Sequence, residues 1–185
     1  VSPLERHLPT GTFMVRYRYR DLLTDVDPAS VRVWIDRAEW TSEATVNDGA
    51  LELSLAGASA LLEGDHELRV QVADVKGNLA ARSDLVGVDL TDPVAAFTAP
   101  GEGAWRATNT PTIALDYADP TRNGLASGIA SVTLRVDGAD VTANAAVGPA
   151  SVTYTPYPAL AEGEHTAHVI VRDRSGRETQ AELVF

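Results

Sequence analysis

The chain repeats itself at an interval of about 100 residues. Ser30-Val31-Arg32-Val33-Trp34-Ile35-Asp36 returns as Ser131-Val132-Thr133-Leu134-Arg135-Val136-Asp137. Leu62-Glu63-Gly64-Asp65-His66 returns as Ala161-Glu162-Gly163-Glu164-His165, and an alternating apolar segment follows each. Both segments close on Asp-x-x-Gly, at Asp74-Val75-Lys76-Gly77 and Asp173-Arg174-Ser175-Gly176. Solenoid repeats run nearer 20–50 residues, so a period this long specifies two copies of one small domain.

Within each copy the apolar residues alternate. Phe13, Val15, Tyr17 and Tyr19 interleave with Met14, Arg16, Arg18 and Arg20, the period of a half-buried strand. Val31/Val33/Ile35, Leu51/Leu53/Leu55 and Leu68/Val70/Val72 follow the same rule, with Leu85 to Leu90 as the last strand of the first copy. The second copy answers with Ile113/Leu115/Tyr117, Val132/Leu134/Val136, Val152/Tyr154 and Ala167/Val169/Val171. Helical signals are weak: Pro28-Ala29-Ser30 and Ala56–Leu62 allow single turns but carry no sustained apolar stripe. The expected fold is all-β, two tandem antiparallel β-sandwich domains spanning 1–91 and 92–185. The junction at Leu90-Thr91-Asp92-Pro93 is short and holds a proline, which predicts an extended, semi-rigid pair.

Composition removes several functions. There is no cysteine, hence no disulfide, thiolate nucleophile or Cys-based zinc site. The net charge of −11 is spread over both halves and opposes phosphate, so neither nucleic acid nor an anionic membrane is an expected partner. No apolar run approaches the ~18 residues of a membrane span. The chain opens at Val1 without a signal pattern and stops at Phe185 within an apolar strand, so it reads as a piece of a longer protein.

These residues resemble a family. Val26-Asp27-Pro28-Ala29-Ser30-Val31-Arg32-Val33 is similar to the G-I-D-P-S-S-V-x-V run of bacterial Ig-like domains, and Ser127–Val132 with Val136–Thr142 matches it in the second copy. Leu160–His165 through Gly176 resembles the family's L-x-E-G-x-H…V-x-D-x-x-G-N ending, and the first copy keeps its Asn78. Thr98–Gly103 and Asn109–Thr112 are similar to its opening strands, whereas Val1–Thr10 lacks the usual opening. The resemblance implies that the two tandem antiparallel β-sandwich domains are immunoglobulin-like and belong to secreted or surface-displayed modules, and it brings no catalytic residues with it.

Few residues offer chemistry. His66 and His165 hold equivalent places, which argues for a shared turn or packing role over a ligand or base. His165 and His168, three apart on a strand, point to opposite faces; His7 falls in a segment expected to be loosely held. No Ser/His/Asp set, HExxH, Walker or EF-hand motif is present. We therefore expect no enzyme.

Calcium is the cofactor to weigh. Asp27, Asp74, Asp89 and Asp92, with Asp25, converge if loops of the first copy meet the junction, and Asp116, Asp119 and Asn123 lie in or beside a loop of the second. Against this, Asp and Asn are also ordinary turn residues. Trp34 should point outward with Arg32, and Arg69 and Gln71 fall on the neighbouring strand, a face able to stack on a sugar ring or anchor a protein. The plainer alternative is a Trp34–Arg69 cation–π pair covering its own sheet. Arg16, Arg18 and Arg20 form a basic stripe expected to be a solvated face. The leading reading is a non-catalytic spacer at a cell surface or outside the cell, with flanking domains as partners. The second is an adhesive or carbohydrate-binding module for a glycan or surface protein, and either suits an accessory piece of a secreted hydrolase.

Overall fold

The structure, a computed structural model, describes residues 7–21, 25–47 and 49–185. Cα packing separates two compact units, Val1–Leu90 with Arg122–Leu125 and Thr91–Thr121 with Ala126–Phe185. Among the described residues there are strands and three short 3-10 turns but no α-helix.

The first unit contains β1 (His7–Leu8), β2 (Phe13–Arg18), β3 (Val26–Ile35), β4 (Ala38–Glu39), β5 (Thr45–Asn47), β6 (Ala50–Leu55), β7 (Gly64–Asp74) and β8 (Leu79–Val88). They form one sheet in the order β1-β8-β7-β3-β4 and another in the order β2-β6-β5. Every pairing is antiparallel except β1 with β8, which run parallel. The alternation read from the sequence puts Val15, Tyr17, Leu51, Leu53 and Leu55 of the small sheet against Val31, Val33, Ile35, Leu68, Val70, Val86 and Val88 of the large one. Each such side chain contributes roughly 1.5–3 kcal/mol through burial, so this shared layer holds the sheets together.

The second unit repeats the plan with β9 (Val94–Ala99), β10 (Ile113–Ala118), β11 (Ile129–Val136), β12 (Ala139–Asp140), β13 (Ala146–Val147), β14 (Ser151–Tyr154), β15 (Thr166–Asp173) and β16 (Glu178–Val184). Its sheets are β12-β11-β15-β16 and β13-β14-β10-β9. Ile113, Leu115, Tyr117, Val152 and Tyr154 meet Leu134, Val136, Ala167, Val169, Val171 and Leu183 in its core.

Polar groups tie the sandwiches at a few points. The Tyr17 hydroxyl, carried by the small sheet, donates to Asp84 Oδ2 on β8 at 2.9 Å, and Arg82 grips the same carboxylate through Nε and Nη2. The Arg82 bonds hold the Asp84 carboxyl below its ordinary range, while burial first and Asp84 second push the Tyr17 phenol up. Thr41 and Thr142 occupy matching 3-10 turns, and their hydroxyls accept the Val33 and Leu134 amides. Gly11 lies so close to Leu61 that a Cβ there would stand 1.8 Å from the Leu61 carbonyl oxygen. The Leu61 amide donates to the Gly11 carbonyl at 3.0 Å, so only a residue without a side chain permits that bond.

Three sequence expectations change. The last strand of the first unit begins at Leu79, not Leu85: Leu79 to Ser83 are exposed and lack alternation, yet they pair with Ala73 to Arg69 of β7. His7 is not in a loose segment, because His7 and Leu8 pair with Gly87 and Val88 and Leu8 packs on the core; positions 1–6 of that opening lie outside the described residues. Pro28-Ala29-Ser30 is no helical turn but an irregular stretch of β3 between Asp27 and Arg32. There Ser30 Oγ donates to the Asp27 and Ala73 carbonyls and accepts the Ala73 amide, which replaces the interrupted ladder.

Candidate functional site

The duplicated histidines come first, since they are the groups most suited to acid–base work. In each copy the strand ends on an aspartate in the left-handed region, Asp36 and Asp137, both at φ 49°. Asp137 Oδ2 faces His165 Nδ1 at 2.8 Å and its Oδ1 accepts the Thr166 amide at 3.0 Å, while His165 Nε2 faces the Ala161 carbonyl at 2.9 Å. The first copy reproduces this with Asp36 Oδ2 to His66 Nδ1 at 2.6 Å, Asp36 Oδ1 to the Glu67 amide at 2.9 Å, and His66 Nε2 to the Leu62 carbonyl at 2.8 Å. A general base needs an open nitrogen. Here one nitrogen meets a carboxylate and the other a carbonyl, so neither is open and the ring serves as a clasp. The Ala161 carbonyl and then Asp137 raise the affinity of His165 for its proton. For Asp137, burial works upward, but the Thr166 amide and His165 outweigh it and hold the carboxyl below its ordinary range. His168 sits apart, 3.2 Å from Gln180 Oε1.

The Trp34 face assembles as the strand register requires. Trp34 lies opposite Arg69 and Arg32 opposite Gln71 across β3 and β7. The guanidinium of Arg69 stands 5.4 Å from the Trp34 ring centre, the cation–π geometry of the plainer reading. Arg32 bonds the Ala29 and Val31 carbonyls and faces Glu39 at 3.5 Å. The second copy has Arg135 opposite His168 at this place. On the basic stripe, Arg16 pairs with Glu52 at 2.8 Å, and Arg18 and Arg20 are exposed.

The aspartates proposed for calcium serve different local tasks. Asp27 Oδ1 accepts the Ala29 amide. Asp74 closes its own turn: Oδ1 accepts the Lys76 and Asn78 amides, and Oδ2 accepts the Asn78 side chain at 2.7 Å. Asp89 is buried, with its amide on the Leu8 carbonyl. Asp92 pairs with Arg177 at 2.7 Å. Asp119 Oδ2 accepts the Gly128 amide at 2.5 Å and faces Ser127 Oγ at 3.3 Å. Asp173, which the sequence reading did not single out, is 1 % exposed and reaches within 4.8 Å of Asp119, carboxylate oxygen to carboxylate oxygen.

A concave region occurs in the second unit. A cleft of about 990 Å³ is bordered by Trp105, Arg106, Asn109, Glu162, His165 and Phe185 among others. Trp105 is 99 % exposed, and the His165 and Phe185 rings lie 5.9 Å apart at the cleft.

No protein-family model and no curated protein sequence matches the chain. Among solved structures it is similar to the fibronectin(III)-like modules of CbhA from Clostridium thermocellum, at 15 % identity and a TM-score of 0.50, over 99 % of this chain and 89 % of that one. Both halves are immunoglobulin/fibronectin III-like sandwiches. Fainter likenesses join a tetra-tandem repeat from the extending region of a large adhesion protein (22 % identity, TM-score 0.39, 97 % of this chain and 47 % of that one). Another is to SGBP-B of a Bacteroides ovatus mixed-linkage glucan utilization locus, solved with a mixed-linkage heptasaccharide (19 %, 0.31, 92 % and 40 %). The chain spans less than half the length of these last two. For an Ig/fibronectin III-like domain the cleft is the feature sequence reasoning missed. Trp105 lies between Gly103 and Thr108 in a segment without periodicity, and only the folded loops bring it beside Glu162.

Proposed function

We propose that the chain is a non-catalytic pair of structural modules belonging to a longer secreted or cell-surface protein, where it separates flanking domains. The observation that carries this reading is the use made of the repeated residues. The Asp36–His66 and Asp137–His165 clasps, the Thr41 and Thr142 turns and the Asp74 and Asp173 turns are all spent on holding loops to strands. What is shared between the copies serves folding, and no group common to both is left open for a reaction. Among the described residues no helix is long and apolar enough to cross a membrane. The test is a panel of soluble glycans and common hydrolase substrates together with limited proteolysis. A spacer resists protease, turns over nothing and melts at one temperature whatever glycan is present; turnover of any substrate refutes the reading.

A second reading, an adhesive or glycan-binding module, is favoured by Trp105, whose fully exposed ring beside Asn109, Arg106 and Glu162 suits stacking on a sugar. It predicts that Trp105→Ala abolishes binding to at least one glycan without moving the melting temperature, since the ring covers nothing. Loss of the same binding on Trp34→Ala instead would transfer the site to the face bearing Arg32, Arg69 and Gln71.

A further inference from the structure

The Asp-x-x-Gly turn is built twice, and the residue after the glycine differs between the copies. In the first domain Asn78 follows the glycine, and its side chain donates to Asp74 Oδ2 at 2.7 Å, while Asp74 Oδ1 takes two backbone amides. In the second domain Arg177 stands in the place of Asn78. Its amide still reaches Asp173 Oδ1 at 2.9 Å, joined there by the Gly176 amide at 2.7 Å and the Ser175 hydroxyl at 2.9 Å. The guanidinium, however, turns to Asp92 at 2.7 Å. Asp173 Oδ2 is thereby left buried with no hydrogen-bond partner among the described residues.

A neighbouring acid aggravates this loss. Asp119, just beyond the end of β10, places a carboxylate oxygen within 4.8 Å of Asp173. The two acids belong to one network, because Ser127 Oγ donates to Asp119 Oδ2 and accepts the Ser175 amide, each at 3.3 Å. Ser127, Ser175 and Asp173 are all buried. Two carboxylates this close repel strongly away from water, and a buried charge without a partner is among the costliest features a fold can carry. A cation held between them would offset that cost.

We infer that Asp119 and Asp173 of the second domain are ligands for a calcium ion. The donors gathered here are oxygens only, two carboxylates and the Ser127 hydroxyl, which selects a hard cation over zinc or copper. Their irregular disposition on a loop and a turn fits the variable coordination of calcium better than the octahedron magnesium requires. Because the ion would bridge the β10–β11 loop to the β15–β16 turn, it would stabilise the folded second domain by mass action. In the first domain the Asn78 side chain caps the equivalent oxygen of Asp74, so one ion per chain is expected.

The test uses the whole 185-residue chain, stripped with EDTA and titrated calorimetrically with calcium chloride, then melted in EDTA and in millimolar calcium. One binding event and an upward shift of about 5 °C or more in the melting of the second domain are expected. Asp173→Asn removes the like charge, so it should abolish the calcium response while melting in EDTA no lower than the unmodified chain. Asp119→Asn should also abolish the response and carries the test if the first variant misfolds. Asp116→Asn, an exposed acid on β10, should keep it in full. The proposal is overturned by an absence of binding heat and thermal shift, by a response that survives in both network variants, or by magnesium acting as well as calcium. A large fall in the EDTA melting temperature of Asp173→Asn would also overturn it, by showing that the carboxylate is already compensated.

Discussion

The clasp at His165 gives the sharpest quantitative test of how these sandwiches are held. In Asp137→Asn the backbone keeps its left-handed residue, because asparagine tolerates φ near 49° as aspartate does. The amide oxygen also retains the Thr166 bond. What is lost is the contact to His165 Nδ1 at 2.8 Å, where an N–H now meets an N–H. A charge-assisted hydrogen bond is worth about 1.5–3 kcal/mol, but Asp137 is 45 % exposed, so solvent reduces the expected loss to about 1 kcal/mol. For a domain of 60–100 residues that is a fall of about 4–8 °C in melting temperature. The pH dependence has a definite sign. His165 binds its proton more tightly when folded, so its contribution is complete below the unfolded imidazole value near 6.5 and fades as pH rises through the folded one. Asp137 is shifted the other way, so its contribution is complete above the unfolded carboxyl value near 4 and fades as pH falls. The gap between the parent and Asp137→Asn should therefore be widest between about pH 4 and 6.5 and should narrow toward pH 9. Urea unfolding across that range measures it. A variant as stable as the parent throughout, or a gap that widens in alkali, refutes the clasp as described.

Four further outcomes follow from the packing and its buried polar contacts. Leu53→Ala empties a fully buried site in the first core and should cost about 2–5 kcal/mol in urea unfolding. Gly11→Ala cannot be accommodated without parting Gly11 from Leu61, so it should destabilise the first domain by about 2 kcal/mol or more, whereas the same change at exposed Gly101 should be near neutral in a melting comparison. Tyr17→Phe removes the bond between sheets to Asp84 and should cost about 1 kcal/mol. Because the Asp84 carboxyl is held low, the stability it supplies is present above the unfolded carboxyl value and lost in acid, so Asp84→Asn should flatten the acid limb of the pH–stability curve.

Much of this architecture was legible from residue order alone. Strict alternation in Leu51-Glu52-Leu53-Ser54-Leu55 or Val31-Arg32-Val33-Trp34-Ile35 can bury one face only as a strand, and the doubling of such runs demands two sandwiches. The outward Trp34 beside Arg69 was likewise a matter of register, since residues opposite each other on paired strands must meet. Leu79 to Ser83 escaped notice because a strand exposed along most of its length needs no apolar period and is held by its neighbour's backbone. The matched histidines signalled a shared structural role, but the partners Asp36 and Asp137 lie 30 and 28 residues away in the chain. Sequence spacing carries no information about such a pairing.

Asp119 and Asp173 make the division plainest. Local chemistry made each a sensible turn residue, and the order of amino acids sets Asp173 apart from Asp74 only by Arg174, Ser175 and Arg177 in place of Val75, Lys76 and Asn78. Periodicity determined which faces turn inward, because burial of apolar surface acts on every residue of a strand at once. Which two charges meet depends on how separate loops close over the sandwich edge, and that was decided only when the whole fold was in place.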